Sequence, residues 1–136
     1  MSDHQHPFPL RLAAGAPGGD PADQQIMEIL GAAYHGCASC QDAQLTLLTA
    51  SAPATARLVL LTLELTAQQL GLVPANLTVD ALPGRAALPF RLLARTSPDP
   101  ALMLRTSERL LPGARRAAAN TAVDILVGFA SLAPRR

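Results

Sequence analysis

The chain has 136 residues, 49% of them apolar, 15% charged and 3% aromatic, with a formal net charge of +1 and a mean hydropathy of +0.23. Such a length sets one domain, 1–136, with a single core, and the shortage of aromatics makes that core aliphatic. All eleven basic residues are arginine, scattered apart from Arg115-Arg116 and Arg135-Arg136, and no aromatic platform lies among them, which excludes nucleic acid as a partner.

Residues 1–7 read as a disordered polar tail. They lack the basic and apolar segments of a secretion signal. No apolar run reaches the roughly 18–20 residues that cross a bilayer, so no membrane partner is expected and the expected compartment is the cytoplasm. An excess of apolar residues over what one small interior buries points to a homodimer.

The stretch "FPLRLAAG" (8–15) reads as an edge strand, and "APGGDPAD" (16–23) as a loop whose Asp20 or Asp23 caps a helix. From there Ile26, Leu30, Ala33, Cys37, Cys40 and Leu47 or Leu48 recur at three- and four-residue intervals along one helical stripe. Gly31 and Gly36 weaken that stripe by about 1 kcal/mol each. "TASAP" (49–53) interrupts the pattern. The segment 54–72 carries both a strand alternation (Val59, Leu61, Leu63, Leu65) and a helical repeat (Leu58, Leu61, Leu65, Leu72). Ser51 before Pro53 and Gly71 at the end favour helix.

Next, "NLTVDAL" (76–82) and "LPFRLLART" (88–96) read as a hairpin around "PGRAA". A helix then opens at Pro100 behind a Ser or Asp cap and is broken at Pro112-Gly113. "RAAAN" (116–120) resumes it, and "TAVDILVGFA" (121–130) alternates as a last strand. The expected layout is β–α–α–β–β–α–β, an α+β domain with an antiparallel sheet packed on central helices.

Chemistry concentrates in "YHGCASCQD" (34–42), which holds both cysteines of the chain. In a reducing compartment such a close pair is redox-active or metal-binding more often than structural. A thiolate is the nucleophile of peroxide reduction, so Cys37 needs a nearby cation or a helix N-terminus, and His35 is a candidate. Cys40 is the candidate resolving thiol, because i and i+3 share a helical face. Closing a disulfide inside a regular helix is demanding and easier at a helix start, which Gly36 is able to create. Two other readings stand beside this one. The pair also reads as two small hydrophobes in the core, or, with His35, as three ligands of a metal whose fourth ligand is His4, His6 or a partner chain.

Three stretches resemble the family of osmotically inducible and organic hydroperoxide resistance proteins (OsmC/Ohr-like). These are "LRLAAGAPGGDP", "ILGAAYHGC" and "LLPGARRAAANTAVDILV". That resemblance implies an intertwined α+β homodimer that reduces small hydrophobic hydroperoxides through Cys37, with no cofactor. Arg11 or His35 stands in for the arginine that the family's upstream strands supply, and Glu28 falls near the place of its orienting acid. Leu111 stands where that family has its second cysteine. "HGCASCQDAQ" resembles the Gly-Cys-x-x-Cys of alkylhydroperoxidase-D-like proteins, which are all-helical. There Gln44 occupies the place of that family's histidine, and the strand-like segments rank this likeness second. A non-enzymatic member of the hydroperoxide-resistance fold, binding an apolar ligand or a protein, is the remaining alternative.

Overall fold

The computed structural model describes residues 21–70, 88–96 and 98–132, whose regular elements are all helices. Six helices follow in chain order among them: α1 (Pro21–Tyr34), α2 (Ala38–Thr49), α3 (Ala52–Leu70), α4 (Leu88–Arg95), α5 (Pro100–Arg109) and α6 (Pro112–Leu132). The described residues contain no strand, so the expected antiparallel sheet and the α+β class are replaced by an all-helical bundle. Residues 8–15, 76–82 and the "PGRAA" turn lie outside the described residues.

Helix α3 explains why its sequence carried two periodicities at once. It packs against α1, α2, α4, α5 and α6. Leu58, Val59, Leu61, Leu63 and Leu65 are all buried, so apolar residues occur around most of its circumference. Three threonines are buried with them, and each hydroxyl donates back to the carbonyl four residues earlier: Thr55 to Ser51, Thr62 to Leu58 and Thr66 to Thr62, at 2.8–2.9 Å. That back-bonding removes the cost of an unsatisfied hydroxyl in the core. Ser51 caps the helix as expected, its Oγ accepting from the Ala54 N–H at 3.2 Å.

Two stretches expected as strands are helices. "LPFRLLART" forms α4, with Phe90, Leu93 and Ala94 buried at helical spacing. Pro89 sits in its first turn, where a missing N–H costs nothing. "TAVDILVGFA" is the second half of α6. Its alternating Val123, Ile125 and Val127 divide into one buried and two half-buried residues, whereas Ala118, Ala119, Ala122, Val123, Leu126 and Ala130 form the buried helical face. The helix started at Pro112 simply continues through it.

Helix α5 begins as expected: Asp99 caps it, accepting from the Leu102 N–H at 3.2 Å, with Pro100 first in the helix. The single stripe expected from Ile26 to Leu48 is two helices broken at Gly36. No single helix among the described residues is long and apolar enough to cross a membrane. Only α2 and α3 taken together pass by length and composition, and they are bent by 115°.

Candidate functional site

The corner between α1 and α2 is built by its backbone. Gly36 has φ +77°, the left-handed region that glycine enters without a Cβ clash. Its N–H donates to the Ala33 carbonyl at 3.2 Å, and the Cys37 N–H donates to the Ala32 carbonyl at 2.8 Å. That pair of bonds is a Schellman C-cap, which satisfies the last carbonyls of α1 and turns the chain sharply. Cys37 then occupies the N-cap of α2, with φ −84° and ψ 87°, and its carbonyl accepts from Gln41 at 3.0 Å. Cys40 follows one turn into α2.

This turn brings the sulfurs together. Cys37 Sγ and Cys40 Sγ lie 2.6 Å apart, closer than two unbonded sulfurs pack and longer than a disulfide bond. The Ser39 hydroxyl sits 3.8 Å from Cys37 Sγ. Both cysteines are half-buried, so the core reading does not describe them. The Cys40 thiol is pushed above its ordinary pKa, first by its hydrogen bond with Cys37, then by desolvation and by the charge of Cys37; the Ser39 hydroxyl and a backbone hydrogen bond oppose the rise. Cys37 is at the positive end of the α2 dipole, where an anion is favoured.

The other expected site residues scatter. His35 closes the end of α1 with an exposed side chain, its ring edge-on to Tyr34 with centroids 5.2 Å apart. Glu28 is exposed on α1 more than two turns before Cys37. Arg11 lies outside the described residues. Among the described residues no three of His, Cys, Asp and Glu come together as a metal would require. His35 therefore does not join the two cysteines as a third ligand.

Two arginines that spacing had marked only as a basic pair hold the cysteine helix in place. Arg116 Nη1 on α6 donates to Thr46 Oγ1 at 3.0 Å, and Nη2 donates to Asp42 Oδ1; both acceptors are on α2. Arg115 Nε donates to the Thr49 carbonyl at 2.7 Å, and its Nη1 donates to the carbonyls of Leu110 at 2.9 Å and Ser107 at 3.4 Å. One guanidinium thus ties the C-terminal ends of α2 and α5 to the start of α6. Sequence spacing offers no sign of the bonds to α2, because their partners are 66, 70 and 74 residues away.

A hollow of about 200 Å³ lies between α3 and α5, lined by Pro53, Ala56, Leu60, Met103 and Arg57. Arg57 is held there by Asp23, in a paired contact at 2.8 and 3.0 Å. Asp23 lies in the first turn of α1 and Cys37 follows the end of that helix, so about 20 Å of helix separates Asp23 from Cys37. No protein-family model, curated protein or solved structure matches this chain.

Proposed function

We propose that the protein is a two-electron redox protein whose Cys37 and Cys40 interconvert between dithiol and disulfide. The observation that carries this reading is the 2.6 Å separation of the two sulfurs at the first turn of α2. A disulfide bond is about 2.05 Å long, so closing it needs only a small movement of the two side chains.

Roles follow from position. Cys37, at the N-cap, is the attacking thiolate, because the free amides of the first turn favour a negative charge there. Cys40 keeps its proton until Cys37 has been modified, since the rise in its pKa comes first from Cys37 itself. Once the Cys37 sulfur is bonded to another atom its charge is gone, Cys40 ionises more readily, and its sulfur displaces the group on Cys37.

The all-helical architecture and the Cys-x-x-Cys at a helix start fit the alkylhydroperoxidase-D-like resemblance better than the hydroperoxide-resistance one, whose sheet is absent from the described residues. Gln44 in place of that family's histidine leaves proton transfer to other groups of the corner. Organic hydroperoxide enters this reading as one two-electron oxidant among others.

Equilibration of the purified protein in glutathione and dithiothreitol buffers of graded ratio, which together span the potentials of Cys-x-x-Cys pairs, tests the reading. The disulfide fraction, read by mass after alkylation, is expected to follow a two-electron curve, and Cys37→Ser or Cys40→Ser is expected to abolish it. Two thiols that stay alkylatable in every buffer would remove the redox reading and leave a binding scaffold.

A further inference from the structure

We propose that Cys37 and Cys40 form a two-coordinate site for Cu(I), held between their two sulfurs as a bis-thiolate at the α1–α2 corner. This goes beyond the redox reading: the same two side chains act in their reduced state, and nothing changes oxidation state.

Donor type comes first. Thiolate is a soft ligand and selects soft ions such as Cu(I) over the hard cations that oxygen donors hold. Donor number comes second. Structural zinc takes four ligands. Cu(I), a closed-shell ion, is satisfied by two thiolates in line. The corner supplies two such donors on one turn of helix, so a two-ligand ion is complete there without any further side chain. His35, the imidazole nearest in sequence, is turned edge-on to Tyr34.

The backbone leaves room for the ion. An in-line ion holds its sulfurs about 4–5 Å apart, twice a metal–thiolate bond, so the 2.6 Å pair has to open. Cys37 is the N-cap, with φ −84° and ψ 87°, and its side chain springs from backbone outside the helix, whereas that of Cys40 springs from within it. Rotation about the Cα–Cβ bond of Cys37 therefore changes the distance between the sulfurs. Space for that rotation exists: a Cβ built on Gly36 meets nothing within 4 Å, and Ala38 and Ser39 are exposed.

Charge favours the same complex. Two thiolates and one Cu(I) carry a net single negative charge. Cys37 makes no side-chain hydrogen bond to the first turn of α2, so the amides of that turn keep their positive end toward the sulfurs. That turn holds no acidic residue, and the acid that follows it, Asp42, is paired with Arg116. The Ser39 hydroxyl, 3.8 Å from Cys37 Sγ, is placed to donate to a thiolate there. Binding releases the two thiol protons to solvent and forms two copper–sulfur bonds.

The test titrates Cu(I) into the reduced full-length protein without oxygen, against bicinchoninate, whose coloured Cu(I) complex reports the ion left unbound. One equivalent per chain is expected to leave the chelator, and X-ray absorption of the product is expected to show two sulfur neighbours. Cys37→Ser and Cys40→Ser are each expected to weaken binding on the order of hundredfold, because a lone thiolate loses the chelate. His35→Ala is expected to bind as the parent does. Cu(I) that stays with bicinchoninate, serine variants that bind as tightly as the parent, weaker binding in His35→Ala, or three or more neighbours in the spectrum overturns the site. Failure of the two proposals is distinguishable. A two-electron disulfide curve without Cu(I) binding overturns the metal site and leaves the redox reading, and Cu(I) held by thiols that never close a disulfide does the reverse.

Discussion

Cys40 is the residue whose behaviour most directly reports the coupling of the pair. Its thiol is held above the ordinary range chiefly by Cys37, through a hydrogen bond and through charge. In Cys37→Ser that charge is absent and a hydroxyl remains as a hydrogen-bond donor, so the Cys40 pKa moves downward. The sign is fixed by the cause: removing a group that favours the protonated form favours the thiolate. Alkylation of Cys40 by iodoacetamide at about pH 8 is therefore expected to quicken severalfold in Cys37→Ser, with its pH midpoint lowered. A midpoint unchanged or raised would show that the two sulfurs do not interact in solution. Both cysteines were legible in the sequence as chemistry. Their separation was not, because it depends on the backbone angles of the turn.

At the scale of elements, the decisive piece is the cap that ends α1. Gly36 stands at φ +77° with open space where a Cβ would be, so a substitution there meets conformational strain and no collision. Gly36→Ala is expected to destabilise the fold by about 1–2 kcal/mol in urea denaturation, with Gly36→Asn costing less. Equal stability of Gly36→Ala and the parent would mean that the corner is not held in this geometry.

The same element shows what pattern reading reaches and where it stops. A glycine in the stripe was visible as a weak point and as the start of a second helix. The start of α3 at Ser51 and of α5 at Asp99 were also readable, because capping residues act locally. The strands expected at 88–96 and 121–130 failed for a different reason. Each is a short apolar run in which alternation and helical spacing coexist. In α6 the helical face consists largely of alanines, Ala118, Ala119 and Ala122, whose burial no hydrophobic pattern announces. For α4, Phe90 and Leu93 decide the face only once α3 and α6 are there to receive them.

For the whole molecule, cohesion is divided between an apolar centre around α3 and a small number of long-range polar ties. Arg115 has the greatest reach of these, joining α2, α5 and α6 through three carbonyl oxygens. Arg115→Met keeps the stem of the side chain and removes those donors, so a loss of about 2–3 kcal/mol is expected in thermal or urea unfolding. Arg57→Met, which breaks a partly exposed pair with Asp23, is expected to cost less. The reverse order would place the main polar tie at the α1–α3 contact instead. Ser107 adds to the first group by donating to the Ala52 carbonyl at 2.9 Å.

The position of the α1–α2 corner carries a practical consequence. The sulfurs stand at the rim of the bundle, outside the group of side chains that holds it together, and the bonds that set the turn are made by main-chain atoms. Exchanging either sulfur for oxygen therefore leaves the scaffold intact. Serine variants of this protein are clean instruments: what they lose is the disulfide, and their melting curves should not fall below that of the parent.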